Sequence, residues 1–415
     1  MAINVASENI GQAPRIICIP YPPPSIKFHL CYNWLPMKLI SIICLFSASS
    51  VWAQEVTLEQ SLETIRAKYD LPSLSAAYLK DGVINEIASV GVRKIGNEAK
   101  VTTEDKFHLG SCTKSMTATL AAMFIDEGKL KWESTIPELF PELEIHSDYK
   151  DVTFSMLFSH RSGMQRGLGI ATQEPSQATA HLLKKGPEHK PDTQDSYSNV
   201  GYLVAAHALE RISGKSWEVL MQERMFNALK MNSCGFGSTA PDSSETVPSQ
   251  PWGHYSNKGV LTPDNEDNSP IWGPAGRVHC ELKDWAKYIQ LHIDGFHGKS
   301  SLVSAKSFKM LQSVYPSSEM NYTSGGWFRL ERQWANGAAL THNGTNLLNY
   351  ARVWIAPVKN AAIMVVTNMG GDETFSGSDE TLNQTGLATN EAVGVLIDRN
   401  LREIEIIHNH HKYNP

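Results

Sequence analysis

Leu109-Gly110-Ser111-Cys112-Thr113-Lys114-Ser115-Met116-Thr117-Ala118 opens a stretch, through Glu127, whose Ala, Met and Leu pattern predicts a helix. Gly128 stands where a C-terminal cap would. Ser111 and Lys114, three residues apart, share one face of that helix, so the lysine amine can reach the serine oxygen. An unaided serine hydroxyl is a weak nucleophile and needs such a base. The helix N-terminus adds backbone N–H groups and a positive dipole end suited to an oxyanion. Taken alone, Ser-x-x-Lys is common, and a capping serine beside a solvated lysine explains it as well.

Two further motifs follow. Tyr197-Ser198-Asn199 lies in a polar stretch before a predicted helix at Val200–Ile212. A tyrosine becomes a base only where neighbouring cations favour its phenolate, and a lysine ammonium is one such cation. Asn199 offers a donor and an acceptor to hold a lysine or a substrate amide. His342-Asn343-Gly344-Thr345 ends a predicted strand. Glycine there admits close approach of backbone to a ligand, and His342 is a candidate to carry or share a proton. Each motif singly has a bland reading: a surface tyrosine with a capping asparagine, and a polar turn.

The rest of the chain reads as follows. Thr57–Tyr69 is predicted as an amphipathic helix, with Leu58, Leu62, Ile65 and Tyr69 at helical spacing. Leu74–Val92 is predicted as a hairpin turning at Asp81-Gly82. Residues 130–235 read as mostly helix and loop. Residues 237–270, crowded with Ser, Pro, Asp, Asn and Gly, read as a long surface loop in which Trp252-Gly253-His254-Tyr255 either lines a cleft or anchors the loop. Helices at Leu282–His292 and Ser304–Gln312, strands at Ala338–His342, Tyr350–Ala356 and Ala361–Asn368, and a closing helix at Ala388–Arg402 complete the reading. This order predicts an α/β fold: 54–105 and 270–404 form one discontinuous α/β domain around a mostly helical domain, 106–269, with 405–415 as a tail.

The 415 residues, 41% of them hydrophobic, suffice for a large core. A net charge of −6 without a polybasic run gives no footprint for nucleic acid. Met37-Lys38, the apolar stretch Leu39–Phe46 and Val51-Trp52-Ala53 before Gln54 fit a secretory signal peptide over 37–53. Translation is therefore expected to start at Met37, with residues 1–36 a gene-assignment artefact and the product exported to a periplasm or the medium. Ser41-Ile42-Ile43-Cys44 lacks the small residues of a lipoprotein signal, so no stable membrane anchor is expected. Beyond the leader remain Cys112, Cys234 and Cys280, too scattered to suggest a disulfide framework or a metal site. Cys112 is expected to face the core. His408, His410 and His411 are read as an unstructured tail rather than a metal cluster. No cofactor or metal is expected.

Together the ordered motifs resemble the β-lactamase and penicillin-binding-protein superfamily, in the Tyr-x-Asn branch of class C β-lactamases, D-alanyl-D-alanine carboxypeptidases and related esterases and amidases. Leu157-Phe158-Ser159-His160-Arg161-Ser162-Gly163-Met164 resembles its L-L-x-H-x-S-G-L block. Pro274-Ala275-Gly276-Arg277-Val278, followed by Asp284-Trp285-Ala286-Lys287-Tyr288, resembles its Gly-rich block and helix. The resemblance implies an antiparallel sheet flanked by helices, a mostly helical insertion, and a small-molecule or peptide substrate; it leaves the oligomeric state open. It makes Ser111 the nucleophile, Lys114 with Tyr197 the acid/base system, and Asn199 an orienting group. It places the N–H groups of Ser111 and Thr345 in an oxyanion hole, near Gly344. His342 stands where the family often has lysine, and His160 belongs to a structural block. Asn343 stands where members acting on β-lactams or D-alanyl peptides usually carry a hydroxyl that holds a substrate carboxylate. That departure ranks ester or amide hydrolysis ahead of β-lactamase or carboxypeptidase activity. A non-catalytic penicillin-binding or sensor module is the competing class.

Overall fold

The computed structural model describes residues 56–167, 172–240, 244–257, 260–372 and 380–412. The gene-start reading of 1–36 and the signal peptide at 37–53 lie outside them. Twelve strands occur among the described residues: β1 (Ser73–Lys80), β2 (Val83–Gly91), β3 (Lys106–His108), β4 (Gly235–Phe236), β5 (Gly253–Asn257), β6 (Val260–Asp264), β7 (Val278–Glu281), β8 (Phe328–Arg332), β9 (Gly337–Thr345), β10 (Tyr350–Ala356), β11 (Ala361–Thr367) and β12 (Gly371–Asp372). The main sheet runs β2-β1-β11-β10-β9-β8, every neighbouring pair antiparallel, so residues from both ends of the chain lie side by side.

Local chemistry explains these elements. Thr57 and Gln60 form a capping box at the start of the helix Leu58–Lys68. Asp81 and Gly82 both adopt positive φ, which turns the β1–β2 hairpin with the twist its strands need. The central strands are covered on both faces, and their alternate residues divide between two cores. Ala77, Leu79, Met364 and Val366 face one side, where the helices Thr113–Asp126 and Leu282–Phe296 pack. Ala76, Tyr78, Ile363 and Val365 face the other, against the helix Leu58–Lys68 and the closing helix. The first core continues without a break into the helical region through Phe158, Tyr202 and Trp217. Glu55–Pro415 accordingly form one compact unit.

Several expectations need correction. Residues 237–270 hold the antiparallel pair β5–β6 rather than a plain loop. Trp252-Gly253-His254-Tyr255 anchors that segment: His254 accepts a hydrogen bond from Ile95 N (3.0 Å) and donates to Asn368 O (2.8 Å), while the Lys94 ammonium lies over the buried Trp252 ring. β8 joins the sheet although its sequence, Phe-Arg-Leu-Glu-Arg, carries charges suited to an exposed edge. The closing helix spans Glu380–Lys412, so the backbone of 405–412 is helical, continuing the apolar spacing Leu401, Ile404, Ile407. Cys234 and Cys280 form a disulfide. The antiparallel register that pairs Gly235 with His279 sets these two cysteines opposite each other at the end of β4 and β7, their Cα atoms 4.2 Å apart. Cys112 is buried, its thiol 3.7 Å from His342 O, and burial pushes its pKa up.

Candidate active site

A tight 3-10 turn, Gly110–Cys112, leads into the helix Thr113–Asp126. Gly110 has φ +49°, and a side chain there would run into the backbone of Thr345. Conversely, a methyl group on Gly344 would overlap the Leu109 carbonyl and press on the backbone N of Ser111 and Cys112. The serine turn and the end of β9 thus pack backbone against backbone. That juxtaposition sets the backbone of Thr345 against Gly110, the residue before Ser111. Gly344→Ala is expected to cost about 1–3 kcal/mol of stability through overpacking and to remove most activity; thermal unfolding and an ester assay read the two effects separately.

Lys114 is fully buried. Its Nζ lies 2.6 Å from Asn199 Oδ1, 2.7 Å from Ala275 O and 3.2 Å from Ser111 Oγ. Burial holds its pKa well below the ordinary lysine value, and Arg166 adds to this. A neutral amine has two N–H donors and one lone pair. The donors are taken by the two carbonyl oxygens, and the lone pair is left for the serine proton. The Ala275 carbonyl was invisible in the sequence as a partner, although the Gly-rich block that holds it is conspicuous there. Thr117 Oγ1 pins that block by donating to Pro274 O (2.7 Å), and itself accepts from Trp217 Nε1 (3.1 Å).

Tyr197 faces the same serine, its hydroxyl hydrogen-bonded to Ser111. Part of the ring borders the cleft, yet burial still raises the phenol pKa above its ordinary value. Burial thus works against both charged forms, the Lys114 ammonium and the Tyr197 phenolate. His160 lies beneath the tyrosine ring, centroids 4.4 Å apart, and accepts the Ser198 N–H at 3.0 Å. It seats the Tyr197 loop and does not line the cavity.

A cavity of about 580 Å³ opens in front of Ser111, with Tyr197, His342, Asn343, Gly344 and Thr345 on its walls. Lys114 and Asn199 sit behind it. His342 is neutral, its pKa lowered to about 3 by burial and the nearby Lys114, and its Nε2 has no hydrogen-bond partner among the described residues. Two charged wall residues escaped the sequence reading, Arg166 and Arg352. Arg352 stands opposite Asn343 in the β9–β10 register and is only 7% exposed. It donates to Asn343 Oδ1 (2.9 Å), Tyr350 Oη (3.0 Å) and Gly386 O (3.3 Å), all neutral oxygens. A single charge in the otherwise apolar strand Tyr350–Ala356 was the available signal. Among the described residues no aspartate or glutamate lines the cavity, no cluster could hold a metal ion, and no helix is long and apolar enough to cross a membrane.

A serine backed by a buried amine, at a cleft between an antiparallel sheet and a helical region, is an arrangement suited to acyl transfer. Residues 58–386 match the Beta-lactamase family, and the chain belongs to it, within the β-lactamase and penicillin-binding-protein superfamily of serine hydrolases. Penicillin-binding protein 4 of Amycolatopsis lactamdurans is 25% identical over 345 residues, 76% of this chain and 86% of that protein. A β-lactamase of Escherichia coli K12 is 24% identical over 58% of this chain and 62% of its own length. The unguisins hydrolase ungD' of Aspergillus campestris is 24% identical over 53% of this chain and 44% of its own. A solved class C β-lactamase superposes with a TM-score of 0.66 at 18% identity, covering 81% of this chain and 94% of that one, which establishes the shared fold.

Proposed function

We propose that the protein is an exported serine hydrolase that cleaves an ester or amide through an acyl-enzyme on Ser111. The observation that carries this reading is the geometry of Lys114, whose two donors are occupied by Asn199 Oδ1 and Ala275 O while its remaining direction meets Ser111 Oγ. Lys114 takes the serine proton as the oxygen attacks the carbonyl carbon. The N–H groups of Ser111 and Thr345 receive the oxyanion, each such donor worth ~3 kcal/mol in the transition state. Tyr197, protonated and bonded to the serine oxygen, relays a proton to the leaving group and is replenished from Lys114. Water then hydrolyses the ester with the same groups in reverse. The Cys234–Cys280 disulfide fits export, because such bonds persist in oxidising compartments. A fluorophosphonate probe followed by peptide mass spectrometry tests the reading. An adduct on Ser111 is expected; folded protein without one favours the non-catalytic binding module.

β-Lactamase or D-alanyl-D-alanine carboxypeptidase activity is the second reading, and Arg352 favours it. Asn343 lacks the hydroxyl, but its carbonyl holds a nearly buried guanidinium that meets no carboxylate among the described residues. A substrate carboxylate would answer that charge. Arg352→Leu is expected to lower kcat/KM about 10–100-fold on nitrocefin and a D-Ala-D-Ala peptide, the scale of a hydrogen bond to a charged group. Neutral p-nitrophenyl esters should change little. An equal loss on every substrate would assign Arg352 to the sheet's integrity instead.

A further inference from the structure

Behind the cleft, outside the cavity wall, the side chain of Asp267 is 95% buried, 5% of it remaining exposed. Its Oδ1 accepts from Asn346 Nδ2 at 2.9 Å and lies 3.0 Å from His108 Nε2, whose N–H is angled off a straight bond. Its Oδ2 accepts from Arg277 Nε at 3.2 Å. On the far side of its ring, His108 Nδ1 accepts the backbone N–H of Gly110 at 3.1 Å, so the imidazole carries its proton on Nε2, toward the carboxylate. Asn346 in turn accepts the N–H groups of Leu348 (3.2 Å) and Asn349 (2.8 Å), fixing the turn after β9.

We propose that Asp267 is a positioning residue that locks together the two backbone segments carrying the oxyanion donors, through His108 to Gly110 and through Asn346 to Thr345. Gly110 immediately precedes Ser111, and Asn346 immediately follows Thr345. These segments touch where Gly110 and Gly344 allow it, but backbone contact alone does not set the angle between two N–H vectors. One carboxylate tied by side chains to both segments does. Donors aimed at an oxyanion must be held to about 0.5 Å to keep their effect. The lock needs the charge as well as the shape: burial disfavours the Asp267 carboxylate, yet the close His108 ring and the Asn346 amide keep its pKa below the ordinary aspartate value, and Arg277 balances it. Neither His108 nor Asp267 borders the cavity, so neither reaches substrate.

The proposal rests on the acyl-enzyme reading of Ser111, and its test separates the two. The full chain and its Asp267→Asn, His108→Asn and His108→Ala variants are titrated with fluorophosphonate to count reactive Ser111, and kcat and KM on a p-nitrophenyl ester are expressed per titrated site. Asparagine keeps the shape of Asp267 but turns one oxygen into a donor, facing either Arg277 or the His108–Asn346 pair. Asp267→Asn is expected to lower kcat per site by about 10–100-fold, below the loss from deleting a whole oxyanion donor, with KM nearly unchanged. His108→Asn places an amide oxygen near the position of Nδ1 and restores the acceptor for Gly110; it should retain clearly more kcat per site than His108→Ala. Unchanged kcat per site in Asp267→Asn overturns the proposal, as does a loss confined to the number of titratable sites or to thermal stability. Should Asp267→Asn fail to fold, the His108 pair decides, and equal kcat in the two overturns it. Wild-type protein that never takes the label on Ser111 overturns the acyl-enzyme reading, and this proposal with it.

Discussion

Ser111→Ala is expected to abolish turnover and probe labelling while leaving the fold intact. Ser111 sits on the cavity wall, with its oxygen facing Lys114 and Tyr197 rather than the core. Its removal leaves no buried donor stranded, because Lys114 still donates to Asn199 and Ala275. Stability should therefore move by no more than about 0.5 kcal/mol, as for surface changes away from special features. Catalysis has no such reserve. Without the serine oxygen there is no acyl-enzyme, and only binding and the oxyanion donors remain. A loss of roughly 10⁶ in kcat is the scale for deleting a serine nucleophile. Ester hydrolysis, mass-spectrometric labelling and thermal unfolding measured on one preparation check the three parts. Turnover within roughly tenfold of the parent would remove Ser111 from the mechanism.

What could be read from the sequence was local. Asp81-Gly82 named its own turn, Ala361–Asn368 read as a strand that the structure shows at Ala361–Thr367, and Ser111 with Lys114 showed the helical spacing that the structure bends into a turn and a helix. What escaped was set by register or by backbone. The Cys234–Cys280 pair, 46 residues apart, exists because β4 lies antiparallel to β7. Arg352 meets Asn343 only because β10 pairs with β9 in one register. The carbonyl of Ala275 has no side-chain signature at all, yet it fixes where the lone pair of Lys114 points. The pair β5–β6 was hidden because turn-forming residues and Pro263 dominate its composition. The surroundings of Tyr197 escaped for a related reason. Spacing shows that a lysine is near, but not that burial disfavours its charge.

That burial yields the second large effect. Lys114→Met, which keeps most of the volume of a fully buried chain, is expected to lower kcat/KM by roughly 10²–10⁴, the range for a positioned base. Tyr197→Phe should do likewise. The double variant should fall well short of the product, because groups that move one proton act as a unit. The pH profile separates their roles. A lysine with its pKa well below the ordinary value is neutral in the folded protein over a range where the unfolded chain still protonates it. Activity that needs the free amine is thus lost as pH falls through the lowered pKa. Stability follows the opposite bookkeeping: the unfolded state binds the extra proton, so the cost of burying this lysine shrinks as pH rises toward the ordinary lysine value. Tyr197→Phe should keep the acidic limb of kcat/KM in place, since Lys114 still titrates, whereas Lys114→Met should erase it. An acidic limb that survives in Lys114→Met and vanishes in Tyr197→Phe would make the tyrosine the base and leave the buried amine as its support.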